Sequence, residues 1–360
     1  MKNIYGMTIE ELEEYLVSIG EKKFKKDQIY NWIFKKRINS FDEMRNIKKE
    51  TISKLKEDFS FDKLSLKTKT VGKDVSKFLF ELSDGLLVEA VLMNQNYGNS
   101  LCISTQVGCN MNCAFCESGK MGKKRNLTAA EMVMQVIAVE DIIKDRVSHV
   151  VLMGIGEPFD NYDEVVKFLK IVNNNQGIDI GARHITVSTC GIVPKIYEFA
   201  DLNTQVNLAI SLHASSDEVR NKIMPINKAY NIKELIKSLN YYINKTNRRV
   251  TFEYIMLKGV NDSKKDALNL ASLIKGMNAY VNLIPYNETS GGFNKSLKSD
   301  ILSFYDILKK NNINVTIRRE FGSEVKAACG QLKSDYEEEM WWNIFIWRML
   351  VKLESKMRIV

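Results

Sequence analysis

The stretch "CISTQVGCNMNCAFC" holds Cys102, Cys109, Cys113 and Cys116, four of the six cysteines in the chain; Cys190 and Cys329 are the others. Cys109, Cys113 and Cys116 are spaced CxxxCxxC in a segment without hydrophobic periodicity. Structural zinc closes a tetrahedron with four ligands, whereas three thiolates in a short loop can hold a cubane iron–sulfur cluster and leave one iron open. An open iron calls for a bound substrate or cosubstrate. A permanent disulfide scaffold is not expected. Glu10, Glu11, Glu13 and Glu14 interrupt the first twenty residues where a secretory segment would be apolar. The expected location is therefore cytoplasmic, and in that reducing compartment clustered thiols point to metal binding or catalysis.

The elements that must position these thiols show in the apolar pattern. From about residue 100, "LCIST", "SHVVLMGIG", "RHITVSTCG", "QVNLAISLH", "RVTFEYIML", "YVNLIPY" and "NVTIRR" alternate with helical stretches. Such runs, rich in Val, Ile and Thr, predict βα units forming a parallel sheet wrapped by helices. Polar residues of interest follow these runs: Gly156 and Glu157, Ser188, His213, Glu253 and Asn287. That is where barrel-type α/β enzymes build their sites. Gly156 would equally suit a turn and His213 a satisfied core position, but Glu157, directly after an apolar strand, must find donors or a cation. "GIGEPF" lacks the third glycine of a dinucleotide fingerprint and no Walker motif occurs, so Rossmann and P-loop readings fail.

Before this region, Thr8 with Glu11 and Ser40 with Glu43 read as capping boxes, and Gly20 as a helix end. Lys22, Lys23, Lys25, Lys26, Lys35, Lys36, Arg37, Lys48 and Lys49 gather here. The whole chain carries 52 basic against 44 acidic residues, a net charge of +8. That excess permits a polyanionic partner, although a solvated face explains a charge run as well. With 45% hydrophobic residues over 360 positions a sizeable core is expected.

The motifs "CISTQVGCNMNCAFCESG", "RNLTAAEMVMQV", "MGIGEPFDNYD", "ARHITVSTCGIVP", "AISLHA", "MPIN", "VTFEYIMLKGVND", "VNLIPYN", "VTIRREFG" and "AACGQL" occur in order between about residues 80 and 332. Together they resemble the radical S-adenosylmethionine superfamily, and within it the RlmN family, which methylates carbon 2 of adenine in ribosomal and transfer RNA. The resemblance implies an α/β fold, a partial (β/α) barrel of the radical S-adenosylmethionine type. The organisation expected is a helical basic RNA-binding unit (1–60), a strand-containing linker (61–98), the barrel (99–333) and an amphipathic helical extension (334–360). That last segment is broken by Asn343 and Arg348 and is too short and polar to span a membrane.

The resemblance also implies one [4Fe-4S] cluster and two molecules of S-adenosylmethionine per methyl delivered. By motif, Cys109, Cys113 and Cys116 hold the cluster. Gly156 and Glu157 approach the amino group of S-adenosylmethionine, Ser188, Ser211, Leu212 and His213 its ribose and methionine portions, and Asn287 its carboxylate side. Cys329 receives a methyl group and tethers the RNA, Cys102 resolves that tether through a transient disulfide, and Glu89 removes the ring proton. Cys190 matches no family role and reads as structural.

The implied partners are 23S ribosomal RNA, transfer RNA and an electron donor of the flavodoxin or ferredoxin type. A stacked adenine cannot react, so an extruded or looped base is expected. Phosphate contacts are then expected from the amino-terminal basic residues and from Lys120, Lys123, Lys124 and Arg125. Two stretches depart from the family pattern: "ESGKMGKK", with Glu117 and its lysines, and "NETSGGFNKS", which lacks prolines. The competing readings are methylation at carbon 8, as in the related Cfr enzymes, and a zinc-stabilised RNA-binding protein without catalysis.

Overall fold

The computed structural model describes residues 1–318 and 330–332. Cys329 and the expected extension 334–360 lie outside the described residues. At the amino end are helices α1 (Ile9–Ser18), α2 (Lys25–Phe34) and α3 (Lys49–Asp58), tied together by the parallel pair β1 (Lys2–Asn3) and β2 (Phe59–Ser60). Both capping boxes form. Thr8 Oγ1 accepts from the Glu11 N–H and Glu11 Oε2 accepts from the Thr8 N–H, while Ser40 and Glu43 cap a short 3-10 turn rather than an α-helix.

This unit is not an independent lobe. Leu12, Leu16, Ile29, Ile33 and Phe34 belong to the same apolar cluster as the sheet, and Lys167 reaches back to Glu11 at 2.7 Å.

A ten-stranded mixed sheet forms the body. Its strands are β3 (Ser65–Val71), β4 (Val75–Glu81), β5 (Leu87–Gln95), β6 (Gly98–Cys102), β9 (Val147–Leu152), β10 (Ile185–Thr189), β11 (Asn207–Ser211), β12 (Val250–Met256), β13 (Ala279–Pro285) and β14 (Val315–Ile317), with a separate small pair β7 (Gln106–Val107) and β8 (Arg125–Asn126). The order is β14-β13-β12-β11-β10-β9-β6-β5-β4-β3. From β6 through β9 to β14 every neighbouring pair is parallel, as the apolar runs predict. Residues 61–98 add three antiparallel strands to the same sheet.

The chain returns between parallel strands through α5 (Ala129–Ile143), α6 (Tyr162–Asn173), α7 (Val193–Asp201), α8 (Asp217–Ile223) with α9 (Ile232–Thr246), α10 (Lys264–Leu273) and α11 (Lys298–Lys310). A one-turn helix α4 (Glu117–Lys120) follows the cysteine loop. Phe168, Phe199, Leu239 and Leu270 on these helices are buried against the sheet strands. Strands covered in this way read as continuous apolar runs rather than alternating ones. The architecture is the α/β partial barrel anticipated from the motifs. Among the described residues no helix is long and apolar enough to cross a membrane.

Candidate active site

The cysteine loop leaves the carboxyl end of β6 and is anchored by two glutamine side chains before Cys109 is reached. The Gln135 side chain on α5, wholly buried, accepts from the Ser104 N–H at 2.9 Å and donates to the Ser104 carbonyl at 3.0 Å. Gln106 Oε1 accepts from the Glu157 N–H at 2.9 Å, joining this loop to the "MGIGEP" turn. Gly108 has φ +73°, and a Cβ there would lie 1.8 Å from the Gly122 carbonyl oxygen, so only glycine fits.

Cys109, Cys113 and Cys116 then line one cavity with Gly156, Glu157, Ser188, Cys190, Ser211, His213, Glu253 and Gly330. Its empty volume, open mouth included, is about 860 Å³, within the range of small-molecule sites. Burial pushes the Cys109 thiol up to about 12 and that of Cys113 well above its ordinary range, and in both cases the neighbouring cysteines and Glu157 raise it further. Three thiolates this close together are stable only beside a positive centre. A cubane spreads its thiolates over separate irons, so the donor set fits a cluster rather than one ion.

Glu157 is almost wholly buried, and burial raises its carboxyl against the hydrogen bonds that favour its charge. Its donors include the Thr189 side chain and the backbone N–H groups of Cys190 at 2.8 Å and Phe159 at 3.0 Å. Its first job is thus to lock the ends of β9 and β10 together. Cys190, which sequence reasoning treated as structural, also stands on the cavity wall. His213 has φ +57°; its Nδ1 accepts from the Ile255 N–H at 3.0 Å, and burial and Arg220 push it down to about 3. The ring is neutral, and Phe115 meets it edge-on at 4.9 Å.

Arg220 was not singled out by sequence. It is fully buried on α8 and donates to the carbonyls of Cys190 (2.6 Å), Leu212 (3.1 Å) and Ser211 (3.3 Å) and to Asn227 Oδ1 (3.0 Å). One guanidinium thereby fixes the ends of β10 and β11 behind the cavity. The Leu212 side chain lies in the core, and Leu212 is not among the residues that line the cavity. Asn287 does not line the cavity. It lies just beyond β13, in the loop whose Thr289 donates to the Phe115 carbonyl at 3.2 Å.

On the antiparallel side, Val91 on β5 faces Cys102 on β6. Residues two apart on a strand share a face, which puts Glu89 on the same side as Cys102. Lys77 on β4, opposite Val91, completes the row and meets Glu89 Oε1 at 3.0 Å. Cys102 packs with Val75, Val91, Ile155 and Leu332. Leu332 and Gly330 belong to the "AACGQL" segment: the Gly330 carbonyl accepts from the Glu117 N–H at 2.9 Å, and the Leu332 carbonyl from Ser118 Oγ at 2.9 Å. The residues that follow Cys329 in sequence therefore lie against both the cysteine loop and Cys102.

The basic residues beside the loop are engaged within the protein. Arg125 is clamped by Asp84 at 2.7 Å and Glu131 at 2.8 Å, Lys123 by Asp160 at 2.7 Å. Lys120 bonds Ser290 Oγ at 2.6 Å.

Residues 103–271 match the Radical SAM superfamily model, and residues 2–60 match the Ribosomal RNA large subunit methyltransferase N-terminal domain. The chain is 53% identical to "Probable dual-specificity RNA methyltransferase RlmN" of Listeria welshimeri, over 92% of this chain and 93% of that protein. It is 54% identical to the protein of the same name from Spiroplasma citri, over 94% of this chain and 99% of the other. The crystal structure of a radical SAM methyltransferase from Sphaerobacter thermophilus superposes with a TM-score of 0.87 at 38% identity, covering 92% of this chain and 99% of that one. Three thiols converge on a cavity at the carboxyl ends of parallel strands, and the similarity extends over nearly the whole length: the chain belongs to the RlmN family of radical S-adenosylmethionine RNA methyltransferases, which use a [4Fe-4S] cluster and S-adenosylmethionine.

Proposed function

We propose that this protein methylates carbon 2 of an adenine in 23S ribosomal RNA, and of an adenine in transfer RNA, consuming two molecules of S-adenosylmethionine per methyl. The observation that carries the reading is the packing of Leu332, three residues after Cys329, against Cys102. A segment that begins three residues after the candidate methyl carrier in sequence thus shares an apolar cluster with the candidate resolving thiol, which supports reading the two cysteines as a pair.

Ring carbons flanked by nitrogens are electron-poor, so direct displacement on a methyl sulfonium is unsuited to them and a radical route is needed. Cys109, Cys113 and Cys116 would hold the cluster, which when bound would supply the electron needed to cleave S-adenosylmethionine to a carbon-centred radical. Gly156, Glu157, Ser188, Ser211 and His213, which line the cavity, orient that cosubstrate; Leu212 and Asn287 are assigned to its binding by the family motifs alone. Cys329 carries the methyl group taken from the first S-adenosylmethionine; the carbon-centred radical from the second takes a hydrogen atom from that S-methyl group, and the resulting methylene radical adds to the adenine carbon. Glu89 takes the ring proton while the odd electron of the adduct passes to a one-electron acceptor, for which the oxidised cluster would serve. The Cys102 thiolate then attacks the Cys329 sulfur, the carbon–sulfur bond breaks, and the released carbon takes up a proton to become the methyl group, leaving a disulfide. Reduction of the cluster is assigned to a flavodoxin- or ferredoxin-type protein, and the enzyme to the cytoplasm, where its RNA substrates are.

Nucleoside mass spectrometry of ribosomal and transfer RNA from cells with and without the protein tests this. The expected result is 2-methyladenosine lost with the protein and restored by its return. Loss of 8-methyladenosine instead would assign the carbon-8 reaction, and unchanged RNA would overturn the function.

A further inference from the structure

Glu253 sits in the middle of β12, in register with Ser211 on β11 and Asn282 on β13. It is 4% exposed. Its Oε1 accepts from Asn282 Nδ2 at 2.9 Å, whereas Oε2, also buried, has no hydrogen-bond partner among the described residues. A buried carboxyl oxygen left unsatisfied is costly, so a missing partner is implied. The side chain forms wall for two cavities: the one lined by the cluster cysteines, and a second that opens toward the amino ends of the strands. Arg183, Arg248, Arg249 and Tyr280 line the second. Arg249 lies over the Tyr280 ring at 4.7 Å, and Arg248 donates to the neutral amides of Gln205 and Asn207, at 2.8 and 2.6 Å, with no carboxylate partner among the described residues. Arginines uncommitted to carboxylates, interleaved with an aromatic face, suit a single-stranded nucleic acid.

We propose that Glu253 is a recognition residue for the RNA base: its Oε2–H donates a hydrogen bond to a ring nitrogen of the adenine that reacts. The inference rests on the RNA-methylating function proposed above. With Oε1 committed as an acceptor, a neutral carboxyl carries its proton on Oε2 and needs an acceptor there. Burial favours that neutral form, opposed by Arg318 and Asn282. Ring nitrogens flank the reactive carbons of adenine, and a donor on one of them draws electron density from the ring. That change eases addition of an electron-rich carbon radical and is a contact made to the reacting base alone.

The test is a cycle between protein and base. Wild-type holoenzyme, Glu253→Ala and Glu253→Gln are assayed on RNA whose target adenine is natural, 1-deaza, 3-deaza or 7-deaza, with iron content and S-adenosylmethionine affinity measured on each protein. Replacing the contacted nitrogen should lower wild-type kcat/KM at least tenfold. Glu253→Ala should lose at least tenfold on natural adenine and less than twofold more on that analogue, while Glu253→Gln, whose amide can donate, falls between. Equal analogue penalties in wild type and in both variants overturn the proposal. So does S-adenosylmethionine affinity falling in step with methylation, which would assign Glu253 to the cosubstrate. If Glu253→Ala loses iron, the same comparison is decided on Glu253→Gln. A wild type that methylates no natural RNA sinks the parent function, whereas one that methylates without this coupling sinks the Glu253 role alone.

Discussion

Lys77 on β4 and Glu89 on β5 meet at 3.0 Å, with their side chains 12% and 2% exposed. A cation beside a buried carboxyl favours the charged form, the form a proton acceptor must have. Removing one member of a buried pair is costlier than replacing both, because the remaining charge loses its compensation. Lys77→Met should therefore destabilise the fold by about 3 kcal/mol and slow the step that needs the base. Adding Glu89→Gln to Lys77→Met should restore much of the stability but none of the methylation. Denaturant unfolding and product mass spectrometry check both halves, and a fully active Lys77→Met would remove Glu89 from the mechanism.

Cys109, Cys113 and Cys116 should be individually indispensable for the cluster. Replacing any one by Ala is expected to abolish the brown colour after anaerobic reconstitution, the bound iron and the activity together. A stoichiometric zinc protein active without iron would contradict the assignment.

Much of this site is legible in the sequence, and the parts that are not share a physical cause. The cysteine spacing and the strand ends are local patterns, so Cys109, Ser188 and His213 could be placed without coordinates. Lys77 could not, because its meeting with Glu89 depends on the register of two antiparallel strands. Arg220 reads as an ordinary helix charge in "DEVRNK" until α8 packs it against the β10 and β11 ends. Conversely, Arg125 reads as a phosphate contact until Asp84, 41 residues away, takes its Nε–H. The two departures from the family pattern find each other: Ser290 Oγ donates to Glu117 Oε2 at 3.0 Å, so the "NETSGGFNKS" loop is pinned to the cysteine loop. Charge runs announce no partner, and only the fold decides which of them are spent internally.

The amino-terminal unit needs a gentler test than deletion. Removing residues 1–60 would strip Leu12, Ile29 and Phe34 from the common core. Within the unit, Lys23 and Lys26 pair with Glu13, and Lys48 approaches Glu21 at 3.7 Å. Lys22, Lys35 and Lys49 are exposed. Changing these three to Gln should weaken RNA binding and lower the salt slope of log K by roughly 0.7–0.9 per lost phosphate contact, with S-adenosylmethionine cleavage unchanged. An unaltered slope would show that this face does not grip RNA.

Arg220→Met is expected to act through the cosubstrate site rather than on chemistry. It leaves the buried carbonyls of Cys190 and Leu212 short of a donor, at about 1–3 kcal/mol each. Loosening those strand ends should weaken S-adenosylmethionine binding more than RNA binding. Calorimetry with each ligand separates the two, and equal losses for both would make Arg220 a general fold residue.

The last expectation separates the two proposed catalytic thiols. A methyl carrier acts before the carbon–carbon bond forms and a resolving thiol only after it, so their loss should stall the reaction at different points. Cys102→Ala retains every group needed to attack the base and lacks only the release, and labelled RNA should therefore accumulate covalently on the protein. Cys329→Ala has nothing to carry the methyl group and should give neither adduct nor product, while its iron content stays normal because Cys109, Cys113 and Cys116 are untouched. Cys190→Ala is the control: its buried thiol is pushed well above the ordinary range and is a poor nucleophile, so no adduct should build up. Denaturing gels followed by peptide mapping distinguish these states. Turnover of Cys102→Ala at the wild-type rate, or an adduct mapped to Cys190, would overturn the pairing, since the packing of Cys102 against Leu332 would then serve the core alone.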